Sequence, residues 1–125
     1  MIPTVFHVAL GGAIGAAIRW SLGLLIVRMA GHGFPLAIIT VNVIGSMLMG
    51  IFVVAAAHKG LTHLSPFVMT GVLGGFTTFS AFSLEAFTLF ERGDYLHAAL
   101  YVALSVVLSI AGLVAGVYLA RGLWA

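Results

Sequence analysis

Gly74-Gly75-Phe76-Thr77-Thr78-Phe79-Ser80-Ala81-Phe82-Ser83 lies within an apolar stretch long enough to cross a membrane. A helix that only faces lipid has no use for two adjacent glycines, two threonines and two serines. Paired glycines loosen helical backbone, and hydroxyls replace hydrogen bonds that loosened backbone loses. Phe76, Phe79 and Phe82 recur at i, i+3, i+6, close to one face of a helix with about 3.6 residues per turn. The segment reads as a broken membrane helix lining a solute path.

The rest of the composition agrees with a membrane setting. The chain has 125 residues, 62% hydrophobic and 6% charged, where a soluble domain carries about 25% charged residues. Too few charges exist to coat a water-facing surface, so the protein is an all-α integral membrane protein. Five Lys and Arg against three Asp and Glu give a formal net charge of +2. They form no basic run and no basic-aromatic interleaving, so no nucleic-acid partner is expected. Cysteine is absent, which excludes disulfides and thiolate metal sites. The N-terminal apolar segment lacks a basic leader region and matches the later spans in length. It reads as a span and not as a cleavable signal.

Four spans follow in a single domain over residues 1–125, at about 4–27, 36–57, 66–90 and 95–120, the third broken near Gly74–Thr78. Gly31-His32-Gly33-Phe34-Pro35 separates the first two spans. A polar link from His58 to Ser65 precedes Pro66, which suits a first helical turn. Glu91-Arg92-Gly93-Asp94 forms a tight turn, and Arg121 with Trp124 marks the far interface. An even span count puts Lys59 and Arg121 on one side and Arg28 and Arg92 on the other. Loop cations orient membrane proteins, and here they balance. Either the chain inserts both ways up and pairs antiparallel, or a factor other than loop charge decides.

Gly11/Gly15, Gly71/Gly75 and Gly112/Gly116 are GxxxG pairs, which let helix backbones approach closely in lipid. Four helices of this length enclose little space, which favours an oligomer. Arg19 lies inside the first span, where a charge attracts an anion, pairs structurally or snorkels beside Trp20. Asn42 offers two N–H donors within the second span, for an anion or for an interhelical hydrogen bond. Phe79 and Phe82 either pack or turn positive ring edges toward an anion, a weak contact that lets the ion leave again. Tyr101, Ser105 and Ser109 form a polar stripe at i, i+4, i+8 on the last span, and Ser80 and Ser83 offer a similar edge on the third. Glu85 is the one acid well inside a span; it either couples protons or pairs with Arg19 or a hydroxyl, and structure or the electrostatics of a pore end is favoured. The histidines show no metal-ligand spacing, and neither a catalytic triad nor a phosphate loop is present, so an enzyme is not expected.

These motifs carry a resemblance. Gly11-Gly12-Ala13-Ile14-Gly15-Ala16-Ala17-Ile18-Arg19-Trp20, Val41-Asn42-Val43-Ile44-Gly45-Ser46, the Gly74–Ser83 segment with Glu85, and Glu91-Arg92-Gly93 resemble the Fluc/CrcB family of fluoride channels along the whole chain. The resemblance implies a dual-topology antiparallel homodimer in the inner (plasma) membrane, with two pores that export cytoplasmic fluoride passively and confer fluoride resistance. It makes Asn42, Phe79, Phe82, Ser83, Tyr101, Ser105 and Ser109 fluoride-path residues. It leaves Arg19 and Glu85 as anion-attracting or structural charges. It also implies a structural Na⁺ at the dimer interface, held by the backbone carbonyls of Gly74 and Thr77. Ala37-Ile38 departs from the Gly-Thr that many members carry, a difference outside the motif residues. A small multidrug transporter, also a four-span dual-topology dimer, uses a first-span glutamate for its cationic substrates; here that span carries Arg19 and no acid. A non-transporting assembly subunit would explain the small-residue faces but not the asparagine, phenylalanine and serine set.

Overall fold

A computed structural model describes residues 3–31 and 34–123. His32 and Gly33 of the first loop, and the expected interface anchor Trp124, lie outside the described residues. Four long apolar helical segments are able to span a membrane. The first two are α1 (Thr4–Ala30) and α2 (Leu36–Lys59). The third begins with a 3₁₀ turn at Thr62–Leu64. It continues as a wide, π-wound helix (Pro66–Leu73), one α-helical turn α3 (Gly74–Phe76) and α4 (Phe79–Glu91). The fourth is α5 (Tyr95–Leu123).

The helices outrun the apolar stretches that define them. α1, α2 and α5 end at Ala30, Lys59 and Leu123, beyond the expected 27, 57 and 120. Their last turns hold Arg28, His58 with Lys59, and Arg121. Cations suit the negative end of a helix dipole, so the helix continues into the headgroup layer instead of stopping with the hydrocarbon. Gly60 then turns the chain at φ 68°, ψ 33° while its N–H bonds Ala56 O. Gly93 does the same at φ 83°, with Asp94 N–H reaching Leu89 O at 3.0 Å. Both turns need left-handed backbone, which a side chain would strain.

The helices pack in alternate pairs along glycine seams. α1 lies against the π-wound helix and α3, and α2 lies against α5. A methyl group on Gly11 would come within 2.9 Å of Gly71 Cα, and one on Gly71 equally close to Gly11 Cα. A methyl group on Gly75 would sit 2.7 Å from Gly12 O. On the other seam, Gly116 faces Met47 O and Gly50 faces Leu113 O, with no room for a side chain. Lipid tails are as apolar as leucine, so association rests on such backbone proximity and not on hydrophobic burial. The interior is accordingly small: Ile39, Phe82, Leu89 and Tyr101 form its buried cluster. In α1 only Gly11 and Gly15 are buried, and Leu10, Ile14, Ile18, Leu24 and Leu25 are exposed.

The seam makes a direct prediction. In Gly15→Ala the new methyl meets Val72 O and destabilises the fold by about 1–3 kcal/mol. In Gly23→Ala nothing lies within 4 Å, and stability rises by about 0.5–1 kcal/mol. Thermal unfolding in detergent micelles, run on both variants, reads the two opposite signs.

Candidate functional site

The site is built around a bend in the third span. After Phe76 the backbone leaves the helix, with Thr77 at φ −87°, ψ 160° and Thr78 at φ −154°, ψ 123°. Two glycines and two β-branched threonines weaken helix at this point. Thr77 closes the incoming half: its N–H and its hydroxyl both donate to Leu73 O, at 3.0 and 2.9 Å. Thr78 opens the outgoing half as the N-cap of α4, its Oγ1 accepting from Ala81 N–H at 3.1 Å. The hydroxyls thus take over bonds the loosened backbone gives up.

Two side chains from other helices hold the bend. Asn42 on α2 accepts from Thr78 N–H through Oδ1 at 2.8 Å and donates from Nδ2 to Thr78 O at 3.0 Å. Only this orientation of the amide satisfies both backbone groups. Arg19 on α1 donates from Nε to Gly75 O at 3.1 Å. The interhelical bond considered for Asn42 is therefore present, and it leaves the second amide N–H of Asn42 uncommitted to Thr78. Arg19 thus spends one donor on a backbone carbonyl.

These bonds also redirect the helix's own donors. Thr78 N–H is the i+4 donor for Gly74 O, and Asn42 takes it. Ala81 N–H is the i+4 donor for Thr77 O, and the Thr78 hydroxyl takes it. The two carbonyls expected to bind a cation are thus among those whose i+4 donors are diverted. Hard cations such as Na⁺ take oxygen ligands of this kind, so the residues present fit the group.

Beside the bend opens a cavity of about 420 Å³ lined by Asn42, Ser46, Thr78, Phe79, Phe82, Ser105 and Ser109 among others. Five of the expected path residues therefore meet in one place: Asn42, Phe79, Phe82, Ser105 and Ser109. The rings of Phe79 and Phe82 lie 5.3 Å apart, tilted by 46°. Tyr101 sits behind them, fully buried, with its ring 5.4 Å from that of Phe82. The Tyr101 and Ser105 hydroxyls are buried and have no hydrogen-bond partner among the described residues. Ser83 falls elsewhere. It is exposed, outside the cavity lining, and its hydroxyl donates to Phe79 O at 3.0 Å. One step along a helix turns a side chain by about 100°, so Ser83 cannot share the face of Phe82.

Arg19 and Glu85 line a second cavity of about 390 Å³, together with Trp20, Phe34 and Arg92. Three residues with structural parts in these sites escaped sequence reasoning. Thr78 holds the bend together, and a threonine three places before Ala81 was the available cap signal. Gly45 is small because the Thr77 methyl packs on it. Phe34, beside a proline, read only as part of a helix-breaking loop.

Removing the Asn42 amide tests the clamp. Asn42→Ala leaves Thr78 N–H and C=O without their partner, at a cost of about 1–3 kcal/mol. Deuterium exchange at the Thr78 amide should accelerate by about tenfold or more. Asn42→Asp keeps the acceptor but sets a carboxylate against the Thr78 carbonyl, and should not restore the slow exchange.

Comparison with known proteins follows the same lines. Residues 6–117 match the family model described as "CrcB-like protein, Camphor Resistance (CrcB)". A protein of Ruegeria sp. (strain TM1040), named a fluoride-specific ion channel, is 67% identical over 123 residues, covering 98% of each chain. One of Roseobacter denitrificans, of the same name, is 66% identical over 98% of this chain and 99% of its own. A third, from Paracoccus denitrificans, is 50% identical over the full length of both.

Proposed function

The chain belongs to the CrcB family, and from that premise we propose that it is a fluoride-selective channel that lets cytoplasmic fluoride leave passively. With its four apolar helices it is a multi-pass plasma-membrane protein, and its family is one of channels and not of enzymes. The observation that carries the reading is the cavity gathering Asn42, Phe79, Phe82, Ser105 and Ser109, together with two buried hydroxyls, of Tyr101 and Ser105, that have no partner among the described residues. Buried polar groups are ordinarily hydrogen-bonded. An unpartnered hydroxyl next to a membrane-embedded cavity is a donor reserved for something that passes.

A small anion leaving water needs donors to replace its hydration. The hydroxyls of Tyr101, Ser105 and Ser109 and the second amide N–H of Asn42 supply them. The edges of Phe79 and Phe82 add a weak positive contact, strong enough to admit the ion and weak enough to release it. Hydrogen fluoride crosses lipid as a neutral acid and ionises inside a neutral cytoplasm. The membrane potential then suffices to drive fluoride out, which accounts for fluoride resistance without an energy-coupled step.

The cavity also calls for a second copy. Phe79 lines it yet is 77% exposed, and a groove holding Asn42, Ser46, Ser105 and Ser109 does not suit lipid tails. A second chain covering it completes the path. Balanced loop cations favour an antiparallel pair, and two chains then give two paths. At the interface Gly74 and Thr77 of each chain would hold Na⁺ through their carbonyls, and the ion would supply positive charge to oxygens whose i+4 donors are diverted.

Two experiments check this reading. Purified protein in liposomes loaded with potassium fluoride should release fluoride when valinomycin sets the potential, read with a fluoride electrode. Phe82→Ala and Phe79→Ala should each cut that release by about tenfold or more while the dimer survives; a folded dimeric wild type that releases nothing sinks the proposal. For assembly, lysines added after Ala125 hold the termini inside, and lysines placed beside His32 invert the chain. Neither form alone should protect cells from fluoride, and co-expression should restore protection. Purification without Na⁺ should weaken the dimer on size-exclusion chromatography.

A further inference from the structure

A column of rings stands between the two cavities, and one of its members has no part in the path above. Phe34 lines the second cavity beside Arg19 and Glu85. Its ring meets that of Tyr101 edge-on, with centroids 5.7 Å apart and planes at 77°. Tyr101 stacks on Phe82, and Phe82 lines the first cavity. On its other flank Phe34 meets the ring of His97 at 6.1 Å and 69°. Phe34 therefore stands between the cavity that holds the charged side chains and the ring of Tyr101.

The backbone holds that layer in place. Pro35 sits at φ −77°, ψ 69°, and Leu36 N–H bonds Phe34 O at 2.7 Å. These are the values of an inverse γ-turn. The turn fixes Phe34 against the cluster of Ile39, Phe82, Leu89 and Tyr101, directly ahead of α2. A loop residue is seldom so constrained, and a phenylalanine has only two side-chain torsions to adjust.

We propose that Phe34 is the seal between the two cavities and determines specificity for the small anion. The inference rests on the fluoride-channel reading. The seal keeps bulk water from the Tyr101 and Ser105 hydroxyls, so an anion must shed its water to pass. Unpartnered hydroxyls compensate a small, hard anion for that loss, whereas a larger halide neither fits the gap nor gains as much from the donors. Without the ring, water enters, the gap widens, and the discrimination falls.

The test uses the full chain in liposomes, comparing fluoride and chloride release. Phe34→Ala should raise chloride release and lower the fluoride-to-chloride ratio by about tenfold or more, with fluoride release retained. Phe34→Val should fall between, and Phe34→Leu, which restores apolar bulk, should recover most of the wild-type ratio. A second measurement needs no flux. The chain has no cysteine, so Tyr101→Cys introduces one thiol behind the ring. Its reaction with a membrane-impermeant methanethiosulfonate should be slow, and about tenfold or more faster when Phe34→Ala is added. Wild-type ratios in dimeric Phe34→Ala, loss of fluoride release without gain of chloride, or thiol reactivity indifferent to Phe34 would each overturn the seal. Absence of fluoride release by the wild type would overturn the channel reading instead.

Discussion

The double hydrogen bond between the Asn42 amide and the backbone of Thr78 is the constraint on which the site depends. A bend in a membrane helix exposes peptide groups that hydrocarbon cannot satisfy. Asn42 satisfies both groups of the residue at the bend, from a helix on the opposite side of the site. Because it takes the N–H that Gly74 O would have used, the same bond that stabilises the bend also releases a carbonyl. Arg19 holds Gly75 O from the third direction. The bend is thus defined by α1, α2 and its own threonines together, and its geometry follows from their packing. Chain flexibility supplied by the glycines is removed again by the partners that surround them.

That packing in turn explains why a very small protein can hold a polar site. The seams between α1 and the third span, and between α2 and α5, are made by backbones in contact, so little interior is spent on side chains. What interior remains is aromatic. Phe34, Tyr101, Phe82 and Phe79 form a continuous run of rings, rigid bodies that position the Tyr101 hydroxyl, which has no hydrogen-bond partner among the described residues. The serines of α5 fall on the same side because they repeat at helical spacing.

Local periodicity made most of this readable in advance. The four spans, the three glycine pairs, the Phe79/Phe82 face and the Tyr101, Ser105 and Ser109 stripe depend only on what neighbours within a turn or two. Asn42 could be recognised as a buried donor, but its partner lies 36 residues away, and spacing along one helix says nothing about what faces it. Arg19 posed the same problem: its partner is a backbone carbonyl 56 residues on, invisible to any search among side chains. Ser83 was read with Ser80 as a polar edge of the third span, and its hydroxyl bonds Phe79 O outside the cavity lining. Gly74 and Thr77, the proposed Na⁺ ligands, came from resemblance alone, since backbone carbonyls are the same at every residue.

The alternate pairing of helices also sets an order of events during synthesis. A nascent chain leaves the ribosome from its N-terminus, and sequential hairpins would let α1 settle on α2 as soon as both had entered the bilayer. Here the close seam of α1 needs Gly71 and Gly75, and that of α2 needs Gly112 and Gly116. The first helix therefore waits in lipid, with the Arg19 guanidinium lacking its Gly75 carbonyl, until more than half of the protein has been made. An arginine without its partner favours a water-facing surface over hydrocarbon. The residue that later pins the bend is thus one whose own partner is made late.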